Sequence, residues 1–154
     1  MHDSDLLPVS NAPYLKDNYQ IRDAMRDVML ALVPVCLVAV WLYGVMALYL
    51  MVVCMATAAL SEIAFRRLFG RKPSLHDGSA LCTGLFVALL YGPATATLPA
   101  ILSVVVAIGL AKELSGGLGL NRFNPALFGR VALIFLAPLV AFLPQGAVFA
   151  GTAD

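Results

Sequence analysis

The residue types able to do chemistry concentrate between Lys112 and Arg130. The chain there reads Lys-Glu-Leu-Ser-Gly-Gly-Leu-Gly-Leu-Asn-Arg-Phe-Asn-Pro-Ala-Leu-Phe-Gly-Arg. Asn121 and Asn124 each carry a carboxamide, which offers a donor and an acceptor on one side chain. Two of them suit the alternating hydrogen-bonding edge of a flat heterocycle. Gly116, Gly117 and Gly119 let backbone approach the face of such a ring, because no Cβ stands in the way. A plainer reading of the same residues is that Asn124 caps the following helix and the glycines only make a turn. Lys112, Glu113 and Arg130 flank the segment. Charges within apolar surroundings pair or face a cavity. A Glu113–Arg130 or Lys112–Glu113 pair that pins the segment is one expectation, and contact with a ligand or ion is the other.

These residues must be positioned by a membrane fold. Of the 154 residues, 61% are hydrophobic and 12% charged, and mean hydropathy is +0.89. A soluble domain carries about 25% charged residues, so a soluble fold would have nowhere to hide this apolar surface. No basic stripe points to nucleic acid. Cys36, Cys54 and Cys82 lie far apart in apolar runs, without metal-ligand spacing, and read as small buried hydrophobes. No metal ligands and no catalytic residues are assigned. A Gly cluster followed by Asn-Pro cannot continue a helix. Non-helical backbone near a bilayer is tolerated when protein buries it or when it lines a cavity. Two membrane helices joined by a shaped polar segment are therefore expected.

The chain yields an all-α integral membrane protein with about five transmembrane helices. Residues 1–26 read as a cytoplasmic tail without a signal peptide, with a short interfacial helix over 17–27. Val28 to Ser61 is uncharged. As one helix it would reach roughly 50 Å, against a hydrocarbon core of about 30 Å. It divides at Leu42-Tyr43-Gly44 into helices over 27–43 and 46–66, with Trp41 and Tyr43 at an interface. Glu62 and Arg66 are spaced as a helical ion pair. Asp77 is placed to cap a third helix over 78–91, which at about 21 Å is a short or tilted span. Tyr91-Gly92-Pro93-Ala94 ends it. A fourth helix covers 97–113. A fifth covers 125–143, with Pro125 in its first turn and Pro138 as a kink. Residues 27–143 form the membrane domain and 144–154 an external tail. His76 beside the basic loop reads as solvated.

The ten Lys and Arg residues test that layout. With five spans, all ten fall on one side: the N-terminal tail, Arg66 at the end of the second helix with the 67–77 loop, and the 112–130 segment. The positive-inside rule then puts the N-terminus in the cytoplasm and the C-terminus outside.

The block Gly-Gly-Leu-Gly-x-Asn-x-Phe-Asn-Pro-Ala-x-x-Gly-Arg resembles the signature of the NqrB/RnfD family. That family comprises flavin-bearing membrane subunits of sodium-pumping NADH:quinone reductase and of the Rnf ferredoxin:NAD oxidoreductase. Asp77-Gly78-Ser79-Ala80 with Thr83-Gly84-Leu85 is similar to the start of the family's third helix. Ala24-Met25-Arg26-Asp27-Val28 with Ala31-Leu32-Val33-Pro34 is similar to the entry into its first. The resemblance runs in order over roughly residues 12–143.

The resemblance implies a bacterial inner-membrane subunit of a redox-driven, ion-translocating complex. Asn121, Asn124, Gly116, Gly117, Gly119 and Arg130 would hold riboflavin or FMN non-covalently, or a quinone, near the quinone side. Full-length members resemble two five-helix halves related by an inverted repeat, and this chain matches the first half. Its implied partners are the lipid bilayer and either other membrane subunits or a second half-repeat. The family's covalent FMN sits on a Thr in a Gly-Ala-Thr type motif of the second half. Ala94-Thr95 matches that motif poorly, because Pro93 interrupts it. An accessory membrane subunit without its own cofactor is the alternative function, and a half of a small-solute channel is a third. For topology, a cysteine replacing Gly70 is expected to label only from the cytoplasm and one replacing Thr152 only from outside. One replacing Thr95 is expected to label slowly. Cytoplasmic labelling at 152 would contradict five spans.

Overall fold

The computed structural model describes residues 21–71, 77–92, 97–114 and 123–140, and every regular element among them is helical. The elements are α1 (Ile21–Tyr43), α2 (Val45–Leu68), α3 (Ser79–Tyr91) and α4 (Thr97–Val106). A π-helix over Ala107–Glu113 then extends α4, and α5 (Pro125–Val140) follows. Among the described residues, two helices are long and apolar enough to cross a membrane: Arg22–Tyr43, with 22 residues, and Val45–Leu68, with 24.

Local chemistry sets the boundaries. Gly44 takes φ 68°, a left-handed conformation that suits glycine, and so divides the long apolar run where the sequence placed the break. Gly92, at φ 67°, does the same after α3. Asp77 acts at the start of α3 as expected: its Oδ1 accepts from the Ser79 backbone N–H at 3.2 Å and from the Ser79 hydroxyl at 3.0 Å. Pro125 opens α5, where a missing N–H costs nothing. One boundary differs. Residues 21–27 are the opening turns of α1, so the break expected at 26/27 falls inside a continuous helix. The charges Arg22, Asp23, Arg26 and Asp27 sit on those first turns, where the helix needs no apolar face. Residues 17–20 of the expected interfacial helix, and the tails 1–20 and 141–154, lie outside the described residues.

The helices alternate in direction. Ser79, Lys112, Asn124 and Met25 line one cavity at one end of the bundle. Tyr43 and Gly92 line a smaller one at the other. Among the described basic residues, Arg66, Arg71 and Lys112 gather at the first end.

Packing centres on α3, which has 13 residues, nine of them buried. Its Ala80, Gly84 and Ala88 recur every fourth position and face α2. In a bilayer, where lipid is as apolar as leucine, helices associate by close backbone approach over small residues. Gly84 is the tightest point: a Cβ there would stand 2.6 Å from the Cys54 carbonyl oxygen and 2.9 Å from the Met55 Cα. The facing residues Cys54 and Ala58 are fully buried. Gly129 of α5 rests on the Ser103 carbonyl of α4 in the same way. By contrast, α1 leaves Leu30, Leu37 and Trp41 exposed.

Gly84→Ala is expected to force α2 and α3 apart and cost about 2–3 kcal/mol. Leu60→Val, on an exposed part of α2, should stay within about 0.5 kcal/mol. Thermal unfolding in detergent measures both. Equal stability of the two variants would contradict the contact.

Candidate functional site

Five charged side chains meet where α2, α3 and the π-helix converge. Glu62 is 0% exposed, Lys112 1% and Glu113 1%. The Lys112 Nζ donates to Glu62 Oε1 at 3.0 Å and to the Ser79 hydroxyl at 2.6 Å. Arg66 bridges the two carboxylates, with its Nε 3.1 Å from Glu62 Oε1 and 3.1 Å from Glu113 Oε1. Arg71 lies 3.6 Å from Glu113 Oε2 and donates to the Glu113 backbone carbonyl at 3.1 Å. Ser79 passes the chain on to Asp77.

The π-helix supplies two of these groups. The Leu114 N–H bonds the Gly109 carbonyl at 3.1 Å, an i→i−5 bond. Short π segments in helices tend to occur at functional sites. The Phe65 ring presses on Gly109, where a Cβ would collide with it. The expected Glu62–Arg66 pair is present. The expected Glu113–Arg130 and Lys112–Glu113 pairs are not: Glu113 is held by Arg66 and Arg71, and Lys112 by Glu62. The reason is packing. Both α2 and α5 pack on the π-helix, and its Lys112 and Glu113 side chains reach Glu62 and Arg66 of α2. The Arg130 guanidinium instead stacks on the Tyr91 ring, 3.9 Å from its centroid. That geometry suits a cation over an aromatic face.

Beside the network is an apolar cavity of about 340 Å³. Met25 and Val28 of α1 form one wall, Cys82 and Phe86 of α3 another, and Asn124 and Pro125 the rim of α5. Ser79, Thr83 and Lys112 complete it. A few polar groups in a mostly apolar hollow, within the ~300–1,000 Å³ range, are what small-molecule sites present. Asn124 both caps α5 and borders the cavity: its Oδ1 accepts from the Ala126 N–H at 3.0 Å. That leaves its NH2 as the group with donors to offer a ligand. The two readings of this residue are therefore compatible.

Of the other sequence-assigned residues, Asn121, Gly116, Gly117 and Gly119 lie outside the described residues, as do His76 and Thr95. Cys54 and Cys82 are buried free thiols, and Cys36 is partly buried. Sequence reasoning missed the Glu62–Lys112 pair, whose partners stand 50 positions apart. The only signal was that each is a charge within an apolar run. It also missed the π-helix and the contribution of α1 to the cavity.

Removing one partner of a buried pair strands the other charge, which costs about 3–5 kcal/mol. Lys112→Met is expected to destabilise by that amount. Adding Glu62→Gln should recover part of it, a coupling of about 1–3 kcal/mol. Simply additive losses in thermal unfolding would contradict the pairing.

Comparison with known proteins bears on what this arrangement belongs to. The pattern of the NQR2, RnfD, RnfE family matches residues 8–150. Among curated relatives are ion-translocating oxidoreductase complex subunits, in each case the one lettered D. That of Aeromonas hydrophila subsp. hydrophila is 35% identical over 146 residues, 92% of this chain and 42% of the relative. Its namesake from Halorhodospira halophila is 35% identical over 129 residues, 82% of this chain and 36% of the relative. That of Salmonella typhi is 35% identical over 152 residues, 95% and 43% respectively. The chain spans less than half the length of these relatives. The family pattern runs through every described helix, including the helices that build the cavity and the charge network, and the chain belongs to the NQR2, RnfD, RnfE family.

Proposed function

We propose that this chain serves a redox-driven, ion-translocating electron-transport complex as a membrane subunit or as the first part of one. In this reading it crosses the bacterial inner membrane five times, with its N-terminus in the cytoplasm and its C-terminus in the periplasm. It holds a flavin (riboflavin or FMN) or a quinone non-covalently. Other membrane subunits, or a second half-repeat, complete the assembly.

The observation that carries this reading is the cavity joining Asn124 to Lys112 and Ser79. The relatives, named as subunits of an ion-translocating oxidoreductase complex, support the redox class. The fit is chemical as well as spatial. A flat ring would lie against Phe86, Val28 and Met25, while the Asn124 NH2 and the Lys112 ammonium offer donors to ring oxygens or nitrogens. Asn121, whose carboxamide offers both a donor and an acceptor, is proposed as a second contact to the ligand. Bound there, such a group would supply the redox chemistry of an electron relay. The protein's part is to exclude water, to orient the ring and to place positive charge beside it. Charges buried in a membrane domain mark functional sites. A buried ion pair can often be replaced by apolar residues with no loss of stability, so stability alone does not explain why Glu62 and Lys112 are charged.

The test is extraction of the purified complex. Flavin or quinone is expected in the extract of the wild-type protein, with binding reduced at least about tenfold by Asn121→Ala plus Asn124→Ala, the loss of roughly 1.4 kcal/mol. A large complex that co-purifies without either cofactor would favour the accessory-subunit reading instead.

A further inference from the structure

The charge network exceeds what holding the helices together requires. The Lys112 ammonium has three N–H groups. Two are used, on Glu62 Oε1 and on the Ser79 hydroxyl. The third has no acceptor among the described residues, and Lys112 forms part of the cavity wall. Ser79 in turn donates to Asp77 Oδ1 at 3.0 Å. Asp77 is only partly buried and stands where the 67–77 connection enters α3. A continuous line of exchangeable protons thus runs from the end of the bundle to the cavity: Asp77, Ser79, Lys112. Thr83, one turn further along α3, does not extend it, because its hydroxyl is bonded to the Ser79 backbone carbonyl at 2.9 Å.

We propose that Asp77, Ser79 and Lys112 form a proton path that ends at the cavity, with Lys112 as the group that protonates a ring ligand as electrons arrive. This inference rests on the redox-ligand reading above. For each proton delivered, an N–H bond of the Lys112 ammonium breaks and an O–H or N–H bond forms on the ligand. The Lys112 amine then takes the hydroxyl proton of Ser79. Ser79 is replenished through Asp77, which passes on a proton taken up from water, the Ser79 O–H turning about the Cβ–Oγ bond from one neighbour to the other. The electrons come from a reduced carrier on a neighbouring subunit, so the path itself moves protons only. The other charged groups set the field. Glu62 holds the Lys112 nitrogen in place through both of its protonation states. Arg66, shared between Glu62 and Glu113, keeps Glu62 from being stranded when Lys112 is neutral. Arg71 secures Glu113.

Ser79 is the discriminating position, since it bears the hydroxyl that joins the two titratable groups. The experiment reduces the purified complex with dithionite and follows proton uptake by a pH-indicator dye, alongside the visible spectrum of the bound ligand. Ser79→Ala is expected to slow proton uptake by about 100-fold, within the range that a positioned proton donor supplies. Ser79→Thr, which keeps the hydroxyl, is expected to restore it to within about threefold, and the ligand spectrum should be unchanged in both. Asp77→Asn keeps an oxygen to cap α3 and should slow uptake similarly. In infrared difference spectra recorded on reduction it should also remove a carboxyl band present in the wild type. Unchanged uptake in Ser79→Ala and Asp77→Asn with the ligand bound would overturn the path and leave the cofactor reading standing. A wild-type complex without flavin or quinone would overturn both.

Discussion

An ammonium and two carboxylates with almost no exposure set the terms for the rest of this fold. Glu62, Lys112 and Glu113 cannot be buried unless each finds its partner. The partners come from different elements: Arg66 from α2, Ser79 from α3, Arg71 from the chain beyond α2. Satisfying the charges therefore fixes how these elements meet. Two local features make the meeting possible. Gly84 lets α3 lie directly on α2, which brings Ser79 within reach of Lys112. The π-helix over Ala107–Glu113 places adjacent residues, Lys112 and Glu113, on separate partners. The cavity exists beside this network because α1 and the start of α5 stand off from it and contribute apolar walls.

Much of this frame was legible in the residues, and the physical reason is that it is local. Gly44 and Gly92 end helices through their own backbone freedom, Pro125 starts one through its fixed φ, and Asp77 caps through an oxygen two residues from its donor. Glu62 and Arg66 pair because one turn of helix separates them. What could not be read is what depends on helices meeting. Lys112 is visible in the chain as a charge in an apolar setting, but its partner is chosen by which helix packs against it. The pairing with Arg130 failed for that reason: the Glu113 carboxylate reaches Arg66 of α2, and Tyr91 takes the Arg130 guanidinium. The π-helix leaves no pattern either, because one extra residue in a turn changes neither composition nor hydropathy. At the site itself, Asn124 was legible as the cap of α5. Met25, Val28, Cys82 and Phe86 were not, because as apolar residues in apolar runs they carry no mark of what they face.

The family places this arrangement among membrane proteins whose longer members bear the name of ion-translocating oxidoreductase subunits. The described helices gather their three fully buried charges, Glu62, Lys112 and Glu113, in one network, while Arg130 lies over Tyr91 in the last turn of α3. An apolar hollow with a buried ammonium on its wall is what the proposed ring ligand would need: apolar walls and fixed positive charge beside it.

The most direct test of that site is photo-crosslinking of the purified complex with an azido-flavin and an azido-quinone, followed by peptide mapping. At least one probe is expected to mark α3 around Cys82 and Phe86 together with α1 around Met25 and Val28, and to be competed by the unmodified ligand. An intact complex in which neither probe marks those residues would contradict a cofactor in this cavity.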